Sequence, residues 1–255
     1  MNTFSNQNSP NSEIKNRKLD FDACYNARDL GGYETAQGGR TRWGAFVRAD
    51  NLYRLTPKGK ASLHGHGVRT VIDLRSVQEL ASEPNPFHGT DELNFVHLPL
   101  INPESHAVLD GAIEQQGMLV WNLKMLEVSR NRIVQAMQTI AHAPEGGVLF
   151  HCYAGKDRTG LVSMFLLALA GVPQQTIAED YDESNTHLEE LNQALLVRFS
   201  DETTKEHVLN NLLSGTANML KIQAHLDEQF GGAERYLLDG GVSSEDIARI
   251  RARLA

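Results

Sequence analysis

The stretch Val148-Leu149-Phe150-His151-Cys152-Tyr153-Ala154-Gly155-Lys156-Asp157-Arg158-Thr159-Gly160 runs directly into Leu161-Val162-Ser163-Met164-Phe165-Leu166-Leu167. Apolar residues of β type lead into a short loop with a glycine and several charges, and an apolar helical run follows, so the segment reads strand, tight loop, buried helix. Other short β-type runs lie upstream: Ala45-Phe46-Val47 followed by Arg48, then Thr70-Val71-Ile72-Asp73-Leu74, then Phe95 to Leu98. Helical stretches separate them. From Met118 to Ala141, the residues Leu119, Leu123, Leu126, Arg130, Ile133, Met137 and Ile140 recur three or four apart, the spacing of one helix face. Strands alternating with helices predict an α/β architecture, a central and largely parallel sheet flanked by helices. Such sheets bind ligands at the carboxyl ends of their strands, and the loop after Phe150 has that position.

Beyond the helix that follows the loop, Glu183 to Leu226 is helical in pattern and free of β-type runs, with Leu188, Leu191, Leu195, Val208, Leu212 and Leu213 in apolar register. This block reads as a helical insertion, either a lid over the cleft or a static part of the fold. Ser243-Ser244-Glu245-Asp246 ahead of Ile247, Ile250 and Leu254 is a Ser-x-x-acid start signal for a last amphipathic helix. At the other end, Met1 to Lys18 is rich in Asn and Ser and carries no apolar run, which predicts a disordered tail without the core of a secretory signal. The remainder, residues 19–255, is expected to form a single domain.

Composition narrows the function. The chain has 255 residues, 41% of them hydrophobic, and a formal net charge of −8, so there is no general attraction to nucleic acid or to an anionic membrane. Its longest uncharged apolar stretch, Leu161 to Val172, is short of the ~20 residues needed to cross a bilayer, and integral membrane association is not expected. A cytoplasmic location is the default expectation, with export by a non-classical route left open. Cys24 and Cys152 are the only cysteines, too few for a disulfide framework or a cysteine-rich zinc site. His64 and His66 flank Gly65 without a cysteine or clear carboxylate partner, and no metal site is expected.

In the loop, Cys152, five intervening residues and Arg158 stand between a buried strand and a helix N-terminus, a cradle for a tetrahedral dianion. Backbone N–H groups of Tyr153, Ala154, Gly155, Lys156, Asp157, Arg158 and Thr159 can converge on phosphate oxygens, and the helix dipole adds favourable potential. Gly155 permits a turn that a side chain could block. Arg158 offers a planar fork suited to two phosphate oxygens. The field that attracts phosphate also favours thiolate at Cys152, making it a nucleophile. His151 points to the opposite side of the strand and is assigned a positioning role. Thr159 could donate its hydroxyl to the sulfur as Cys152 leaves.

The loop H-C-x-x-G-K-D-R-T-G resembles the signature of the protein tyrosine phosphatase superfamily, and the Lys156-Asp157 pair is similar to its atypical bacterial branch of tyrosine or dual-specificity enzymes that also accept phosphoinositides. Asn26-Ala27-Arg28-Asp29-Leu30-Gly31-Gly32-Tyr33, Arg48 with Leu52, Val71 to Ser76, Gly231 to Leu237 and Gly241-Val242-Ser243 fit the same branch. The resemblance implies hydrolysis without metal or other cofactor: Cys152 attacks phosphorus, a general acid protonates the leaving oxygen, and water releases phosphate from the cysteinyl phosphate. It implies Asp157 as the acid, with Asp73 the second candidate, and Lys156 as a rim charge able to contact an inositol or a second phosphate. The expected partner is a phosphorylated protein or a phosphoinositide.

Simpler readings stand beside these. Asp157 could pair with Arg158 or Lys156 or cap the helix. Asp73 and Arg75 read as a strand-end ion pair in a supporting role, and Arg28-Asp29 followed by Leu30 and the paired glycines reads as a structural turn with an ion pair. Cys24 reads as a packed thiol. A rhodanese-like sulfurtransferase also holds cysteine in an anion-binding loop, but His151 and Arg158-Thr159-Gly160 fit phosphatase chemistry better. A binding module that keeps the cradle without turnover is the non-enzyme alternative. A nucleotide P-loop is excluded, because Gly155-Lys156 precedes Asp157 instead of Ser or Thr.

Overall fold

The computed structural model describes residues 16–197, 201 and 215–255. Within them a sheet runs in the spatial order β1 (Arg28–Asp29), β2 (Phe46–Ala49), β5 (Gly147–His151), β3 (Val68–Asp73), β4 (Asn94–His97). β1 is antiparallel to β2, and all other pairs are parallel. The α/β class and the largely parallel sheet are therefore those expected from the sequence. Ala49, His151, Asp73 and His97 pair in one row, so the carboxyl ends of four strands finish together along a single edge.

β5 is buried along its whole length, as a central strand must be when helices cover both faces. The two faces alternate with period two. Phe46, Ile72, Val148 and Phe150 join one apolar cluster, and Val47, Val71 and Leu149 join the other with Phe21, Leu52, Leu63 and Phe87. The first cluster is the larger and receives most of the helices. α5 (Asp157–Leu169) lies inside it, with every residue from Thr159 to Leu167 buried, which is why its sequence is apolar all round.

Before β5 come α1 (Pro57–Gly65), α2 (Val77–Ser82), α3 (Pro103–Val128) and α4 (Arg130–Ala141). The helix expected over Met118 to Ala141 is thus two helices. They separate at Ser129, a buried non-helical residue, while α3 itself is interrupted at Gly117 with φ +77°. Periodicity does not see the break, because Leu126 before it and Ile133 after it reach the same core.

After α5 follow α6 (Gln174–His187), α7 (Glu189–Leu196), α8 (Thr216–Phe230), α9 (Ala233–Gly240) and α10 (Ser244–Leu254). Ser243 caps α10 by accepting from the Asp246 N–H, as its sequence signal predicts. The block expected over Glu183 to Leu226 starts inside α6 rather than at a boundary, and Val208, Leu212 and Leu213 lie outside the described residues. Most of the tail expected to be disordered also lies outside them. Arg17 and Lys18, counted in that tail, are instead joined to the body: the Arg17 carbonyl accepts from the Asp29 N–H, and Lys18 bridges Arg28.

Candidate active site

β5 delivers Cys152 to the sheet edge, and the next four residues turn back into α5. Gly155 sits at φ +67°, and a Cβ there would lie 2.4 Å from the Ala49 carbonyl oxygen, so both the dihedral and the close approach to β2 require glycine. The loop carbonyls are all engaged from outside. Tyr153 O accepts from the Asn51 N–H at 2.9 Å, Ala154 O from the Asn26 amide at 2.9 Å, and Gly155 O from the Arg48 guanidinium at 2.8 Å. Lys156 O accepts from the same Arg48 nitrogen at 3.3 Å and from the Gly160 N–H at 2.6 Å. In a trans peptide the following N–H points away from the carbonyl. The N–H groups of Ala154, Gly155, Lys156 and Asp157 are therefore turned toward the hollow of the loop, an arrangement made for an anion.

The arginine that holds two of those carbonyls is itself held. Arg48 and Arg28, both fully buried, share Asp180 of α6. Arg48 pairs with Asp180 Oδ2, and Arg28 Nε lies 2.9 Å from Oδ1, where the Tyr33 hydroxyl also donates at 2.8 Å. Burial opposes the Asp180 charge, but Arg28 and Arg48 outweigh it and hold the carboxyl well below the usual carboxylate range. Arg28 Nη1 donates to Asn26 Oδ1 at 2.6 Å, which aims the Asn26 amide at the loop.

Arg158 projects from the first turn of α5 and meets Glu79 of α2 in a bidentate pair of 2.6 and 2.7 Å. Glu79 also closes the capping box with Ser76 at the start of α2. Burial works against the Arg158 charge, but Glu79, followed by Cys152, outweighs it and raises the guanidinium pKa. The Cys152 side chain is buried beside this cation. Thr159 Oγ1 is buried without a hydrogen-bond partner among the described residues, so it keeps a donor to spare.

His151 Nδ1 lies 3.0 Å from the Cys152 carbonyl oxygen, and its Nε2 lies 2.9 Å from the Asn85 amide and 3.4 Å from Asp73. It fixes the strand end from behind the loop. Asp73 pairs with Arg75 in the strand-end ion pair read from the sequence, at 2.7 Å. Burial would raise its pKa, but His151 and Arg75 hold it well below the ordinary value, so it remains a carboxylate with no proton to donate.

Asp157 opens α5 and is only partly buried. The Tyr181 hydroxyl donates to its Oδ1 at 2.6 Å, and Lys156 Nζ lies 3.7 Å from its Oδ2. Lys156 differs from expectation. It is buried at 4% exposure, with its ammonium turned in toward the Asp157 carboxylate instead of standing at the rim. The exposed rim residue is Tyr153. Tyr153 borders a cavity of about 380 Å³ with Tyr25, Arg54, Leu188, Leu191 and Leu195, so α7 forms one wall of the space beside the loop.

Arg28 and Asp29 do not form an ion pair with each other: Arg28 reaches Asp180, and Asp29 pairs with His66 at 2.6 Å while accepting from the Gly31 and Gly44 N–H groups. Cys24 donates its thiol to Asp50, whose carboxylate also accepts from the Tyr25 and Asn26 N–H groups. The site contains Glu79, Asn85, Asn122, Asp180 and Tyr181, to which sequence reasoning gave no role. The Ser-x-x-Glu spacing from Ser76 is a signal that could have picked out Glu79 as a cap, and nothing local points to the others.

The chain belongs to the tyrosine phosphatase family, whose model matches residues 19–255. It is similar to a tyrosine-protein phosphatase of Nostoc commune, with 32% identity over 219 residues that cover 82% of this chain and 74% of the relative. A putative tyrosine-protein phosphatase of Cupriavidus necator is 32% identical over 240 residues, covering 91% and 86% of the two chains. The triple specificity protein phosphatase PtpB of Mycobacterium tuberculosis is 27% identical over 271 residues, covering 91% of this chain and 96% of PtpB. Among the described residues, no helix is long and apolar enough to cross a membrane.

Proposed function

We propose that the protein hydrolyses phosphate monoesters through a cysteinyl-phosphate intermediate, with Cys152 as nucleophile, Arg158 as the phosphate clamp and Asp157 as the general acid. The observation that carries this reading is the loop whose four carbonyls, Tyr153 to Lys156, are all bonded outward. Its N–H groups need no reorganisation to receive the phosphate oxygens, and donors preset in this way stabilise charge developing in the transition state. Phosphate binds against these groups and the Arg158 fork. The Cys152 sulfur forms a bond to phosphorus as the bond to the leaving oxygen breaks, and Asp157 gives that oxygen its proton. Asp157, as carboxylate, then takes a proton from the water that attacks phosphorus, while Thr159 donates to the departing sulfur. Asp73, deprived of its proton by its neighbours, suits the second candidacy poorly. His151, Asp73 and Arg75 support the strand end, and no step uses a metal.

The substrates are proposed to be phosphotyrosine and, more broadly, phosphoserine, phosphothreonine and phosphoinositides, as in the bacterial dual-specificity branch. The cavity between Tyr153 and α7 supports that breadth, as does the resemblance to a relative named for triple specificity. The test is phosphate release from phosphotyrosine, phosphoserine and phosphothreonine peptides and from monophosphorylated phosphoinositides, with EDTA present. Release from peptides and lipids alike is expected; turnover of phosphotyrosine alone would remove the broader claim, and loss of all turnover in EDTA would remove the mechanism.

A further inference from the structure

Tyr181 lies on α6, yet its hydroxyl ends on the first residue of α5. The donation to Asp157 Oδ1 is 2.6 Å long, and the tyrosine is 2% exposed. Its ring is seated where α5 and α6 approach over Gly160, since a Cβ there would lie 2.7 Å from Tyr181 Cδ2. Asn122 of α3 approaches the same carboxylate oxygen at 3.4 Å, and its own Oδ1 is buried without a partner among the described residues. Burial, followed by the neighbouring Asp157, pushes the Tyr181 phenol well above its ordinary value, so it stays a donor. With Oδ1 occupied in this way, Oδ2 is the oxygen turned to other partners, Lys156 among them.

We infer that Tyr181 is a positioning residue for the acid: by holding Asp157 Oδ1, it presents Oδ2 to the oxygen of the leaving group. This rests on the assignment of Asp157 as the acid. In the step it serves, the sulfur–phosphorus bond forms, the phosphorus–oxygen bond breaks, and the proton of Asp157 Oδ2 passes to the departing oxygen. Tyr181 keeps its own proton throughout. A buried tyrosine also needs some acceptor for its hydroxyl, so Asp157 could serve only to satisfy Tyr181. The two roles differ in which substrates suffer.

The experiment measures kcat/KM for aryl phosphates from p-nitrophenyl phosphate, whose leaving group needs little protonation, to phenyl phosphate, whose leaving group needs much. Wild type, Tyr181→Phe, Asp157→Asn and the double variant are compared, and thermal unfolding confirms that each is folded. Tyr181→Phe keeps the ring that packs on Gly160, and Asn122→Ala is a second variant acting on the same oxygen. A general acid is worth about 10²-fold or more. Tyr181→Phe is expected to lose about tenfold on phenyl phosphate and less than about twofold on p-nitrophenyl phosphate, with Asn122→Ala moving the same way. The double variant should be no slower than Asp157→Asn alone. An equal loss of activity across the series in Tyr181→Phe, while Asp157→Asn remains selective, would overturn the positioning role and leave the acid assignment intact. A flat series for Asp157→Asn would instead overturn the acid assignment itself, and the role of Tyr181 with it.

Discussion

Replacing Asp180 with asparagine removes the one carboxylate around which Arg28, Arg48 and Tyr33 are arranged in the protein interior. Both guanidiniums are fully buried, and of the other carboxylates among the described residues only Glu183 comes near, 3.5 Å from Arg28 Nε. Removing one partner of a buried ion pair costs about 3 to 5 kcal/mol, because the remaining charge is left without compensation. At roughly 2 to 4 °C per kcal/mol for a domain of this size, Tm should fall by about 6 to 20 °C. The loss should extend to catalysis. Arg48 would relax toward other partners, the Gly155 and Lys156 carbonyls would lose their anchor, and the N–H groups behind them would lose their aim. Each preset donor of this kind is worth about 10²-fold in rate, so kcat should fall by about that factor. The assays are thermal unfolding by circular dichroism and initial rates well below the Tm of the variant. The effect also has a pH signature. The folded value of Asp180 is depressed, so its contribution is present above the unfolded value of ~3.9 and is lost as pH falls through the folded one. The Tm gap between wild type and Asp180→Asn should therefore narrow below about pH 4. A variant within about 2 °C of wild type, with unchanged kcat, would refute the claim that the cluster around Asp180 supports the loop.

Three further outcomes follow from the same geometry. Glu79→Gln keeps a capping side chain at the start of α2 but removes the charged bidentate partner of Arg158; kcat/KM should fall about tenfold or more, inhibition by vanadate should weaken, and Tm should drop because the mostly buried guanidinium loses its compensating charge. Gly155→Ala combines a left-handed φ with a close contact to Ala49 O; it should cost about 1 to 3 kcal/mol in urea unfolding and most of the activity, and an active, equally stable variant would contradict the loop geometry. His187 is held down to about 4 by burial and by the charges of Arg28, Lys18 and Arg48, so the unfolded chain takes up its proton first. Stability should therefore fall as pH drops from about 6.5 to about 4 and this contribution should then level off, and His187→Gln should flatten that slope in unfolding titrations.

The candidate phosphate loop was legible because its chemistry is contiguous. The strand, Cys152, Gly155, Arg158 and the buried helix follow one another, and each residue type has a physical reason for its place. The same holds for the last helix, where Ser243 and Asp246 lie three residues apart. What supports the loop was not legible, because its partners are distant in the chain: Asn26 reaches Ala154, Arg48 reaches Asp180, and Glu79 reaches Arg158. Such pairs are set by strand order, which periodicity does not give. The inward turn of Lys156 was missed for a related reason, since a charged residue in a loop reads as exposed until the path of the loop is known. The split of the long helix at Ser129 was hidden by an apolar spacing that continues on both sides of it.

The central claim is that phosphate passes through the sulfur of Cys152. Rapid acid quench of the enzyme during turnover of a phosphorus-labelled aryl phosphate, followed by peptide mapping, tests it directly. The account predicts a labelled phosphoenzyme within the first turnover, mapped to the peptide containing Cys152, and neither label nor turnover in Cys152→Ser. Turnover that survives in Cys152→Ser, or a label mapped to another residue, would contradict it.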